Sequence, residues 1–180
     1  AREDVDVAVL EVGLGGRWDS TTVGEPVASI VTRIDYDHQD KLGRTLGAIA
    51  REKAGIIKPG VPVVSSPQRP AAMREIRRKG VPFVPRIQVF GSGRMIRFRT
   101  EGVGARVHRC TLPVLGTHQA VNAGTAIALV EASGARVTPS DVRRGLAGVR
   151  LPGRIEVVSR RPWIVVDSAH NPLSARALAE

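Results

Sequence analysis

The clearest run of spaced apolar positions lies at 45–57, where Leu46, Ile49, Ala50, Ala54 and Ile57 recur at intervals of three and four. That stripe predicts an amphipathic helix, stopped by Lys58-Pro59-Gly60. Residues 5–12 alternate instead, which predicts a strand running into Gly13, Gly15 and Gly16. A second strand is expected at 27–34, followed by a polar loop over 35–40. Short strands at 61–64 and 81–84 flank a helix at 71–79, so strand, helix and strand succeed one another, as in an α/β fold with a largely parallel sheet. Between 88 and 112 the pattern changes to short segments at 95–99 and 105–110 set between glycines, and a small antiparallel insertion is expected. Helices return at 119–132 and 140–147, the latter capped by Thr138 or Ser140, until Pro152-Gly153 breaks the chain. A strand at 163–167 and a helix from 174 onward follow. This organisation divides the chain into a domain at 1–150 and the start of another at 151–180.

Composition changes this picture little. Apolar residues make up 42% of the 180, enough for a core. The apolar runs, such as those at 27–31 and 164–166, are far shorter than the roughly 20 residues a bilayer span takes. There is no internal repeat, no low-complexity tract and no secretory leader pattern at the start. The lone Cys110 has no partner for a disulfide or a thiolate metal site, which favours a reducing compartment, the cytoplasm, and a role as a small apolar filler. The net charge of +10 raises nucleic-acid binding as a possibility. The arginines are scattered, however, with small clusters only at Arg74, Arg77, Arg78 and Lys79 and at Arg160 and Arg161. Aromatics, the stacking platforms of single-strand binders, are 3%. Neither nucleic acid nor a membrane is therefore an expected partner.

In open α/β sheets ligands bind beyond the carboxyl ends of the strands. Three predicted exits carry Glu11, His38 and Asp167. Each has a plain reading as well: a solvated loop acid, a turn histidine and a helix cap. Spacing alone leaves a shared site open. The glycine-rich loop is not a dinucleotide fingerprint, because Trp18 occupies the place of the last glycine in GxGxxG.

Six ordered stretches carry a more specific signal: 11–22 (EVGLGGRWDSTT), Asp37-His38, 52–60 (EKAGIIKPG), 116–119 (GTHQ) with Asn122, Pro152-Gly153-Arg154, and 167–172 (DSAHNP). Together they resemble the folylpolyglutamate and dihydrofolate synthases of the Mur ligase superfamily. The resemblance implies part of a Mur-type central ATPase domain at 1–150 and the linker and beginning of a Rossmann-like glutamate-ligase domain at 151–180. It implies an ATP-dependent ligase joining L-glutamate to dihydropteroate or folylpolyglutamate through an acyl phosphate. By the same resemblance Glu11 and His38 hold Mg²⁺, and Lys53, carbamylated by CO₂, holds a second Mg²⁺. Asn122, Arg154 and Asp167 contact ATP, and His170 acts near glutamate and the γ-phosphoryl group. Asp19, Ser20 and Thr21 fall on the pterin side, where Trp18, Ser20 and Thr22 stand in place of the family's usual leucine, alanine and asparagine.

The family's phosphate cradle, GxxxxGK[ST], does not occur in these residues. The resemblance implies that it precedes the strand at 5–12 in the intact protein, which is expected to be a monomer. The 180 residues alone are expected to be inactive, and to aggregate or remain partly molten. Another Mur-type ligase, acting on UDP-sugar peptides or making a cyanophycin-like product, is the alternative enzyme, and a basic nucleic-acid module the non-enzymatic one. The EKAGIIKPG stretch disfavours the first, and the low aromatic content and scattered arginines weigh against the second.

Overall fold

The computed structural model describes residues 4–91 and 93–179. The stripe at 45–57 becomes α2 (Leu46–Lys53), extended by a 3₁₀ turn at Ala54–Ile56. Thr45 caps it, its side-chain oxygen accepting the Ala48 amide at 3.1 Å. The apolar face packs on α3 (Pro70–Arg77) through the fully buried Ala72 and Ile76, and Val31, Ile34 and Val63 close this first core. Strands β1 (Ser29–Val31) and β2 (Val63–Ser65) run parallel, and Phe83 adds a single parallel bridge to Val64. A short helix, α1 (Gln39–Leu42), occupies the end of the loop expected at 35–40.

The insertion is an antiparallel sheet of β3 (Ile87–Gly91), β4 (Ile96–Glu101) and β5 (Val107–Leu112). Along β4 the alternation is regular: Ile96, Phe98 and Thr100 point inward and Arg97 outward. Helix α4 (His118–Ala132) covers the sheet with Ala120, Ala123 and Ile127, forming a second core. The same helix reaches the first unit through a buried Ser66–Thr125 hydroxyl contact of 3.0 Å. Behind it, Glu131 binds the buried His108 at 2.9 Å and the Val103 amide at 2.8 Å. Helix α5 (Pro139–Ala147) is capped by Thr138, not Ser140, in a reciprocal arrangement with Asp141. The chain then forms a hairpin of β6 (Glu156–Arg160) and β7 (Trp163–Val166), followed by α6 (Pro172–Ala179).

The α/β class is as expected, but several elements differ. Residues 5–12 have no ladder partner among the described residues, and Val7 and Val9 are 74% and 88% exposed. Alternation gives a chain the side-chain pattern of a strand, but only a neighbour can take its N–H and C=O groups. The strands at 27–34 and 81–84 shorten for the same reason to Ser29–Val31 and the Phe83 bridge. β6 falls in a stretch read as linker because Pro152-Gly153 precedes it. The helix from 174 starts two residues earlier, at Pro172, and Glu180 lies outside the described residues. No helix among those described is long and apolar enough to cross a membrane.

Candidate functional site

The glycine-rich loop is locked onto the end of α2. The Arg17 amide donates to the Glu52 carbonyl at 3.0 Å, and the Arg17 guanidinium lies 3.7 Å from the Glu52 carboxylate. Two glycines permit the approach. A methyl group on Gly16 would fall 2.8 Å from the carbonyl oxygens of Glu52 and Lys53, and one on Gly55 would fall 2.5 Å from the Arg17 Cα. The stretches 11–22 and 52–60, 30 or more residues apart in sequence, thus form one seam that carries Lys53 beside the loop.

Within the loop Asp19 organises the backbone. One carboxylate oxygen accepts the amides of Gly13 at 3.0 Å and Leu14 at 3.3 Å, and the other accepts the Thr21 hydroxyl at 2.7 Å and its amide at 3.0 Å. The Thr21 hydroxyl and then these amides hold its pKa down to about 2. Asp19 and Thr21, candidates for pterin contact, therefore have their polar atoms engaged with the loop itself. Ser20 is exposed at the start of the 3₁₀ turn Ser20–Val23.

At the exit of β1, His38 is left-handed (φ 48°) and precedes α1, with its amide bonded to the Asp37 carboxylate at 2.9 Å. The other Asp37 oxygen accepts the Asn171 side-chain amide at 3.0 Å, across 134 positions of sequence. Partial burial works to raise the Asp37 carboxyl, but the hydrogen bonds of Asn171 and His38 and the nearby His38 and His170 outweigh it and keep it below its usual value. Asn171 in turn receives the Ser174 amide and hydroxyl, at 2.9 and 2.8 Å, and so begins α6. His170 is exposed, with Nδ1 2.9 Å from the Ser168 carbonyl.

Asp167 ties the exit of β7 to the linker. One of its oxygens accepts the Ile155 amide and the other the Ala169 amide, both at 2.7 Å. The Ser168 amide bonds the Gly153 carbonyl at 2.9 Å, and the Arg154 guanidinium contacts the Ser168 hydroxyl. The Ile155 side chain lies against Gly116, at the start of α4. There His118, Gln119 and Asn122 form a chain of contacts, each of 3.0 Å. Arg154 and Asp167 thereby lie on hydrogen-bonded stretches, and the Ile155 side chain sets them against the start of the helix that carries Asn122.

Among the described residues no three His, Cys, Asp or Glu side chains gather into a cation site. Glu11 is exposed and Lys53 half-buried, and neither makes an ion pair among those residues. Asp37, Asn171 and Ser168 fall inside quoted stretches, yet their linking role needed the fold to emerge. Gln68, which bonds the Ile34 amide at 2.9 Å and the Thr32 carbonyl at 2.8 Å, had no signal beyond its flanking prolines. Cys110 is buried, and burial pushes its thiol up to about 11, consistent with a filler.

No family model matches the chain. It is 38% identical over 187 residues to folylpolyglutamate synthase of Lacticaseibacillus casei, covering 95% of this chain and 43% of that protein. It is 37% identical over 192 residues to the dihydrofolate synthase/folylpolyglutamate synthase of Bacillus subtilis (strain 168), covering 98% and 44%. It matches the solved FPGS–AMPPCP–folate complex with a TM-score of 0.88 at 37% identity, over 96% of this chain and 46% of that one. The parallel unit, antiparallel insertion and following hairpin are therefore part of a known α/β architecture. The chain is homologous over nearly its whole length to folylpolyglutamate and dihydrofolate synthases, and spans less than half the length of these relatives.

Proposed function

We propose that this chain supplies the central part of an ATP-dependent ligase that adds L-glutamate to dihydropteroate, folylpolyglutamate or both, as a monomer in the cytoplasm. Residues 1–150 belong in this reading to the ATPase domain, and 151–180 are the linker and first elements of the glutamate-ligase domain. The observation that supports it most is the Asn171–Asp37 bond, which brings the turn after β7 to the exit of β1. A reaction that joins a phosphorylated carboxylate to an amine needs such a meeting of two substrate-handling surfaces. The matched complex with AMPPCP and folate supports both substrate classes.

In the proposed reaction ATP's γ-phosphoryl group passes to the acceptor carboxylate, and glutamate's amine then attacks the acyl phosphate and displaces phosphate. Arg154 offers phosphate oxygens a planar fork of donors, while Asn122 and Asp167 contact the nucleotide from either side of the linker. His170 orients glutamate near the γ-phosphoryl group. Glu11 and His38 would hold one Mg²⁺ and a carbamylated Lys53 a second. Ligands drawn from the entry to the glycine-rich loop, the exit of β1 and the end of α2 suit an ion that usually keeps waters and takes one or two protein ligands beside substrate phosphates. When bound, Mg²⁺ spreads the charge that develops on the phosphoryl oxygens. Lys53 fits the carbamate role because the loop seam fixes its backbone while, among the described residues, its amine has no carboxylate partner. The test is glutamate-dependent ADP release by the protein containing this segment. Lys53→Ala is expected to lower it at least about a hundredfold, a loss comparable to removing one preorganised charge-stabilising group. Unchanged turnover would remove Lys53 from the mechanism.

A further inference from the structure

Helical spacing divides α3 into two faces. Ala72, Glu75 and Ile76 are buried toward α2. On the other side Met73, Arg74 and Arg77, with Arg78, line a groove of about 780 Å³ whose remaining walls include Gln68 and Val84. Its charge is not balanced from within. The carboxylate of Glu75, beneath it, is taken by Arg51 at 3.1 Å and Arg78 at 2.7 Å. Arg74 and Arg77 have no carboxylate partner among the described residues, although both are held on a helix that packing fixes in place. Met73 and Val84 add apolar surface to the same groove.

The groove begins where the candidate site ends. Gln68, on its wall, clamps the backbone of Thr32 and Ile34 after β1, and the adjacent Arg69 pairs with Asp35 at 3.3 Å. Two residues further on is Asp37, which receives Asn171. From there α3 leads away for eight residues, roughly 12 Å at the helical rise.

We infer that this groove holds an extended acidic chain, the poly-γ-glutamyl tail of the acceptor, with Arg74 and Arg77 paired to its α-carboxylates. The identity of the tail rests on the proposed ligase reading, whereas the groove's charge and position do not. Guanidinium forks match carboxylates bidentately, and the γ-linked backbone supplies methylenes for Met73 and Val84. A phosphate chain shares the charge but not the methylenes.

Titration calorimetry of γ-linked pentaglutamate into the protein tests this, with inorganic triphosphate as the competing anion. The double variant Arg74→Gln/Arg77→Gln is compared with Arg97→Gln/Arg109→Gln, which removes two exposed arginines from the outer faces of β4 and β5. At low salt the groove pair is expected to weaken pentaglutamate at least about fivefold, and the remote pair less than about twofold. Equal weakening by both pairs, no weakening by either, or tighter binding of triphosphate than of pentaglutamate would overturn the assignment. In the ligase assay the groove pair should lower kcat/KM more for a tetraglutamyl than for a monoglutamyl acceptor. Wild-type protein that shows no glutamate-dependent ADP release but binds pentaglutamate in the groove would sink the ligase reading alone. Turnover with an unchanged preference for tail length would sink the groove alone.

Discussion

The sheet of the insertion and the hairpin near the end of the chain are built from similar apolar strands with opposite outcomes. In β4, Ile96 and Phe98 are 0% and 1% exposed, sealed by α4. In β7, Trp163, Ile164, Val165 and Val166 are all exposed, between 44% and 67%. Apolar content is therefore not packing: β4 gains from burial, whereas β7 is held by polar ties at its exit. Those ties, from Asp167 to Ile155, Ser168 to Gly153 and Asn171 to Asp37, are the ones that assemble the candidate site. The core holds the scaffold, and the candidate site gathers at seams where backbone groups need partners.

The contrast can be broken by truncating one residue from each. Phe98→Ala should lower stability by about 3–5 kcal/mol, the cost of emptying a fully packed aromatic site. Ile164→Ala should stay within about 0.5 kcal/mol, as for an exposed side chain. Calorimetric unfolding of both variants checks the pair. A large loss for Ile164→Ala would mean that β7 is covered in solution.

A second comparison sets two glycines of the same region against each other. Gly55→Ala drives a methyl group into the Arg17 backbone at 2.5 Å, and neither segment can move without opening the seam between the loop and α2. A loss of about 1–3 kcal/mol is expected. Gly47, inside α2, has nothing within 4 Å of the same position, so Gly47→Ala should stabilise by about 0.5–1 kcal/mol through helix propensity. Denaturant midpoints that moved in the same direction for both would contradict the seam.

Which parts of this were legible from sequence follows from the range of the forces involved. The stripe of α2 and the alternation of β4 are local, because each residue's burial is set by its neighbours three, four or two positions away. The strand at 5–12 had the same kind of signal yet has no ladder among the described residues, since pairing depends on a distant segment. Glu11, His38, Lys53, Asn122, Arg154, Asp167 and His170 were named by ordered motifs, and the fold adds which of them are joined: Asp167 to the linker of Arg154, and the turn of His170 to the loop of His38. The bond from Asn171 to Asp37 spans 134 positions and no periodicity could reveal it. Asp19 is the instructive case. Its motif points to the substrate side, and the fold adds four hydrogen bonds by which it also anchors its own loop.

The smallest expected effect concerns that anchor. A carboxyl held at about 2 against an ordinary 3.8 contributes to the folded loop only when ionised. Its contribution is complete above 3.8 and disappears as pH falls through about 2. The amide resonances of Gly13, Leu14 and Thr21 should therefore titrate together with a midpoint near 2, while those of Ile96 and Phe98 in the second core do not follow. Asp19→Asn should abolish the joint transition and speed amide exchange at Gly13 and Leu14. A midpoint near 3.8 would mean that Asp19 faces solvent rather than the loop.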